Sequence, residues 1–150
     1  MYRSLLVAVV LLFAAPSAFA VEQCFVEIEG NDRMQFNLET IEISKACQEF
    51  TITLKHVGTL ARNVMGHNVV VAATEDMDDV NRDGMQAGLE SNYVKPDDPR
   101  VIAYTKVVGG GETASVTFDP SRLKDGVSYS FFCSFPGHAA MMNGLVKWLP

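Results

Sequence analysis

The sequence predicts an all-β domain, an antiparallel β-sandwich with one short inserted helix. Three observations carry this. Phe50, Ile52, Leu54 and His56 alternate with Thr51, Thr53 and Lys55, the two-residue period of a strand with one buried face. Turn-forming residues break the chain roughly every ten residues, the rhythm of sandwich folds. Only between Thr74 and Leu89 does the alternation stop for long enough to admit a helix.

Residues 1–20 are expected to stand outside that domain. Arg3 precedes an uninterrupted apolar run of eleven residues, 5–15, followed by Pro16 and the small-residue site Ala18-Phe19-Ala20. Those regions, in that order, make a cleavable secretory signal peptide, and the apolar run is too short to span a membrane. The domain then covers residues 21–150, with no other stretch able to cross a membrane.

The elements follow in order. Cys24, Val26 and Ile28 alternate with Phe25, Glu27 and Glu29 as a first strand, and Phe50–His56 is the next. Residues 68–73 form a short apolar strand. Thr74 caps the helix, Met77, Val80 and Met85 line its inner side, and Gly84 and Gly88 keep it short. Pro96-Asp97-Asp98-Pro99 is loop. Strands at 101–107 and 115–118 flank the turn Gly109-Gly110-Gly111. Val127, Tyr129, Phe131 and Cys133 share one strand parity, and residues 145–149 are the last strand.

A domain of 130 residues, the 150 less the first twenty, is large enough for one core. The formal charge is −6, or −7 once Arg3 is removed, and no basic stripe is present, which argues against a nucleic-acid partner. Three cysteines are an odd number for an exported chain. Two can pair in an oxidising compartment. Cys133 sits among metal-ligand residue types and is the free one. Cys24 and Cys47 are left to form a disulfide worth roughly 3 kcal/mol.

The chemistry concentrates in Cys133-Ser-Phe-Pro-Gly-His138-Ala-Ala-Met-Met142 and in Gly66-His67 upstream. Strand parity directs the Cys133 thiol into the apolar end of the sandwich. A lone buried Cys is most often inert, but Phe135-Pro136-Gly137 turns the chain back and brings His138 towards the sulfur. Met142 lies four residues beyond His138, one helical turn or a compact loop. A trigonal Cys and two His with a weak axial Met is the donor set of a copper electron-transfer site. His67, Cys133, His138 and Met142 are therefore the candidate ligands of one copper ion. Gly66 permits close backbone approach, so its carbonyl is a weak second axial group. Asn68, Ser134 and Phe135 surround the ligands, and Asn68 is placed to hold the Cys133 loop through Ser134. His56 shares its strand face with apolar residues and reads as a satisfied core histidine. Met141 has the opposite parity to Met142 and belongs to the surface.

These motifs resemble the cupredoxins, and within them the azurins, over nearly the whole chain after the signal peptide. The resemblance rests on Cys24-Phe-Val-Glu-Ile-Glu-Gly-Asn-Asp, Asn63-Val-Met-Gly-His-Asn68, Lys95-Pro-Asp-Asp98 and Phe131-Phe-Cys-Ser-Phe-Pro-Gly-His138. Four residues separate Cys133 from His138, as in azurins, where plastocyanin and pseudoazurin loops have two. The resemblance implies an eight-stranded Greek-key sandwich, copper on the same ligands, a Cys24–Cys47 disulfide and one-electron shuttling in the periplasm. It implies transient partners of the cytochrome c or periplasmic reductase kind. It also implies a docking patch around a surface-reaching His138. Met34, Leu60, Val64, Met65 and Met85 form one part of that patch, and Phe135, Pro136, Ala140 and Met141 the other. A monomer is expected. Two departures stand out: Val69 occupies a position where many azurins carry Trp, and the only Trp is Trp148, near the C-terminus.

Copper storage or delivery on the same fold is the alternative, suggested by seven methionines. A metal-free binding sandwich is a third reading. An enzyme is not expected, since the chain has no Cys-x-x-Cys-His, His-Glu-x-x-His or Gly-x-Ser-x-Gly motif.

Overall fold

The computed structural model describes residues 23–150, so the expected signal peptide and the domain start at Val21 lie outside the described residues. The strands are β1 (Phe25–Asn31), β2 (Gln35–Phe36), β3 (Thr40–Ser44), β4 (Phe50–His56), β5 (Val70–Ala73), β6 (Val101–Tyr104), β7 (Thr113–Phe118), β8 (Tyr129–Phe132) and β9 (Asn143–Leu149). One sheet has the order β2-β1-β4-β7 and the other β3-β9-β8-β5-β6. Most neighbours are antiparallel, but β1 runs parallel to β4 and β3 parallel to β9. The first parallel pair follows from a crossover. The chain leaves one sheet to form β3, then returns as β4 beside β1 in the same direction.

The core lies between the sheets. Ile28, Ile52 and Leu54 from one meet Ile41, Val71, Phe131 and Val146 from the other, all buried. Burial of each such side chain contributes about 1.5–3 kcal/mol before entropy is counted. Val69, where a Trp was the family expectation, is fully buried in this core. The two-residue period made β1 and β4 legible. The strands β2 and β3 went unpredicted because they are short, with only Ile41 and Ile43 marking an inward face.

Two α-helices occur among the described residues: α1 (Arg62–Met65), which was not predicted, and α2 (Met77–Ala87). The longer one lies outside the sandwich, as expected, and seals the outer face of β5 and β8. Val80 and Met77 pack there on Val70, Ala72 and Phe132. β8 is thus buried on both faces. Several details differ from the sequence reading. Thr74 does not cap α2; residues 74–76 form a 3-10 turn, Asp76 is the N-cap, and the Thr74 hydroxyl pairs with that of Ser130 at 3.0 Å. Met85 is exposed. Gly84 does not stop the helix; a Cβ there would meet the Tyr93 carbonyl oxygen at 2.1 Å, so its role is close packing. Gly88, at φ +77°, ends it.

The expected strand at 101–107 ends at Tyr104, and Gly109-Gly110-Gly111 is no hairpin turn. β6 and β7 belong to different sheets, so the chain between them crosses over. Gly109 and Gly110 press on the backbone of Arg62 and Thr59, where a Cβ would meet atoms at 2.6 and 2.5 Å. The Lys95-Pro-Asp-Asp98 segment is tied to α2 by Arg100, whose guanidinium bonds Asp98 at 2.9 Å and Asp83 at 2.7 Å.

Cys24 and Cys47 are joined in a disulfide, and Cys133 is the free cysteine. The bridge sits where β1 and β4 begin. Trp148 lies at the same end, paired with Ile43 across β3 and β9, with the Lys45 ammonium 4.5 Å over its ring. The strands β1 and β4 finish together at Gly30 and His56, at the opposite end.

Candidate metal centre

At that opposite end the two sheets close around a polar cluster. His67 follows Gly66 just after α1, and its backbone bridges to Val108. Cys133 follows β8, whose inward parity carries the sulfur into the interior. The next nine residues close on themselves. Cys133 N–H donates to the Met142 carbonyl at 2.9 Å, His138 N–H to Phe135 at 3.0 Å and Met142 N–H to His138 at 2.8 Å. Gly137, at φ +84°, makes the turn that a side chain would resist. Met142 therefore comes back one helical turn after His138, fully buried against Cys133, Val107 and Phe135.

Three donor atoms face one another. His67 Nδ1 and His138 Nδ1 are 3.2 Å apart, and Cys133 Sγ lies 3.9 Å from the first and 3.6 Å from the second. A metal bound at roughly 2.0 Å to nitrogen and 2.3 Å to sulfur holds such donors about 3–4 Å apart, so the residues fit one ion. Two imidazoles with one thiolate suit copper, and a thioether beside them completes a type 1 set. Gly66 is buried, and a Cβ there would meet the Arg62 carbonyl oxygen at 2.2 Å and Val107 Cγ1 at 2.6 Å. Only glycine fits that wall.

Protonation favours the same reading. His67 Nε2–H donates to the Asn31 carbonyl at 2.9 Å, which leaves the Nδ1 lone pair facing the sulfur. Burial lowers the His67 pKa to about 4 and lowers that of His138 as well. Burial also pushes the Cys133 thiol up to about 12, opposed by the Asn68 and Phe135 N–H groups directed at sulfur. A thiol so placed ionises when a cation takes the proton's position.

Asn68 is a clamp. Its carbonyl oxygen accepts from Ser134 N–H at 2.8 Å, and its amide donates at 2.8 Å both to the Ser134 hydroxyl and to the Asn92 carbonyl. Every polar atom of that side chain is engaged. His56 lies outside the donor triangle. Its Nε2 bonds the Met65 carbonyl at 2.8 Å, its Nδ1 accepts from Gly58 N–H at 3.0 Å, and its ring stacks on His67 at 4.4 Å.

His138 does not reach the surface as expected; it is 3% exposed. Phe135 covers it at 4.6 Å between ring centroids and is itself held by Tyr93. Phe135 is thus wall rather than exposed patch, a correction to the sequence reading. Leu60, Val64, Met85, Pro136, Ala140 and Met141 are exposed, whereas Met34 and Met65 are half-buried. Sequence reasoning missed Asn31, Arg62, Asn92 and Val107. Asn31 acts through its backbone carbonyl, and Val107 through its backbone as well as its side chain, and side-chain type does not reveal a backbone contact.

The family model for copper-binding proteins of the plastocyanin/azurin family matches residues 22–148. The chain belongs to that family. Its relatives include Azurin-1 of Alcaligenes xylosoxydans xylosoxydans, 59% identical over 83% of this chain and 97% of that protein. The azurin of Pseudomonas aeruginosa is 52% identical over 93% of this chain and 94% of its own length. That of Bordetella pertussis is 50% identical over 98% of each. A plastocyanin/azurin family member with His67, Cys133 and His138 converging in this way is equipped for copper.

Proposed function

We propose that this chain is a type 1 copper protein that carries single electrons between redox partners. His67, Cys133 and His138 would hold the copper ion, with Met142 and the Gly66 carbonyl as further donors beside them. The observation that carries this is the buried donor triangle, whose nitrogen lone pairs and sulfur already face one point. Bound copper supplies a Cu(II)/Cu(I) couple. Thiolate and thioether favour the reduced ion while imidazole accepts both states. The protein's residues hold still. The 133–142 loop is closed by its own hydrogen bonds, Asn31 fixes the His67 tautomer, and Asn68 fixes the Cys133 segment. Water is kept out by Phe135, Val107 and Met142. A cage that need not move between oxidation states transfers electrons readily.

The exit is the apolar face over the buried His138. Leu60, Val64, Met85, Pro136, Ala140 and Met141 are its exposed members, with Met34 and Met65 at the margin. Such a face suits brief contacts that bury less than ~1,200 Å². A cytochrome c or periplasmic reductase fits that role, met by a monomer made of residues 21–150 after the signal peptide is removed in the periplasm. Among the described residues no helix is long and apolar enough to cross a membrane. The burial of His67, Cys133 and His138 supports a carrier over an enzyme.

Voltammetry of the copper-loaded protein tests this. A reversible one-electron wave and rapid oxidation of reduced cytochrome c are expected. Sluggish electron exchange with ready copper release to a metal-free acceptor would replace the carrier with the storage or delivery reading.

A further inference from the structure

The turn at 88–93 carries two consecutive non-glycine residues with left-handed backbones, Asn92 at φ +57° and Tyr93 at φ +52°. A bulky residue there is strained, and strain persists where surrounding contacts over-determine it. The carbonyl and the side chain of Asn92 both lead to the metal site. Its carbonyl oxygen accepts from Asn68 Nδ2 at 2.8 Å, and Asn68 in turn holds Ser134, the neighbour of Cys133. Its side-chain Oδ1 accepts from Val107 N–H at 3.0 Å, and Val107 forms part of the wall around Cys133 and Met142. Arg62 braces the arrangement, with Nε on the Val107 carbonyl at 3.0 Å and Nη2 3.4 Å from both Asn92 Oδ1 and the Leu89 carbonyl. One residue in a left-handed turn thus ties together two walls of the site that come from different parts of the chain.

We propose that Asn92, braced by Arg62, is a positioning residue for the copper site, setting where the Cys133 sulfur sits through Asn68 and where the opposing wall sits through Val107. This rests on the copper reading above. The left-handed turn needs Asn, Asp or Gly at 92, while the strut needs the side-chain oxygen, so substitution separates the two roles. Asn92→Gly keeps the turn and removes the oxygen. Asn92→Asp keeps both.

The test measures three quantities for the parent chain and both variants: the visible spectrum and reduction potential of the copper form, and amide hydrogen exchange at Ser134 in the metal-free form. N92G is expected to shift and broaden the visible band and to move the potential beyond experimental error. It is expected to speed Ser134 exchange about fivefold to tenfold, the ratio one lost hydrogen bond supports. N92D is expected to stay with the parent in all three. An N92G protein with the parent's spectrum and potential overturns the proposal, whatever happens to Tm. So does an N92D protein shifted as far as N92G. Should N92G fail to fold, Arg62→Met removes the brace alone and decides by the same measurements. A parent chain that stays colourless with copper sinks the copper reading instead, and Ser134 exchange in the metal-free protein still decides the strut.

Discussion

The two ends of the sandwich are ordered by different means. Where β1 and β4 begin, a disulfide joins Cys24 to Cys47 and Trp148 packs under Lys45. Order there is covalent and apolar. Where the same strands finish, His56, His67, Asn68, Cys133, Ser134 and His138 are all buried, and hydrogen bonds hold them. Burying that many polar groups costs free energy unless each is satisfied. The first end can therefore be weakened without touching chemistry, and the second cannot be altered without touching it.

The sharpest way to separate the ends is to remove the disulfide. Replacing Cys24 and Cys47 together by Ala should cost about 3 kcal/mol in denaturant unfolding. The spectrum of the copper form should not change; a changed spectrum would mean that the ends are coupled.

Acid should act on the other end. Burial holds His67 at about 4, below its ordinary 6.5, so between those values the unfolded chain binds a proton that the folded chain refuses. Stability of the metal-free protein is therefore full above about pH 6.5, falls by roughly 2–3 kcal/mol as the pH drops, and levels off below about 4. Unfolding curves across that range check it, and a flat profile would contradict the burial argument.

Asn68→Ala strands Ser134 N–H, the Ser134 hydroxyl and the Asn92 carbonyl. A loss of about 2 kcal/mol is expected, together with an altered visible band. The smallest effect belongs to Met141, which is 62% exposed. Met141→Lys should change stability by less than about 0.5 kcal/mol while slowing electron exchange with a cytochrome c, measured by stopped flow.

The sequence made β1, β4, α2 and the Cys133-His138-Met142 run legible because each leaves a local mark: a two-residue period, a break in it, or donor residue types within one run of ten residues. What it hid was made by distant segments meeting. β3 is short and gains its place by pairing with β9 at the far end of the chain. The burial of His138 depends on Phe135, which is held by Tyr93 more than forty residues earlier. Gly109 and Gly110 looked like a hairpin turn because glycine marks turns and close contacts alike, and only the path between sheets distinguishes them. Asn92 carries no mark at all, since its position at the metal site rests on a backbone angle and on hydrogen bonds from Asn68, Val107 and Arg62.

The most direct test of the metal end is to add one equivalent of Cu(II) to the metal-free protein and record its visible spectrum, with Cys133→Ser alongside. An intense blue colour that saturates at one copper per chain and is absent from C133S is predicted. A colourless parent complex, or a blue one that survives loss of the Cys133 sulfur, would contradict the account.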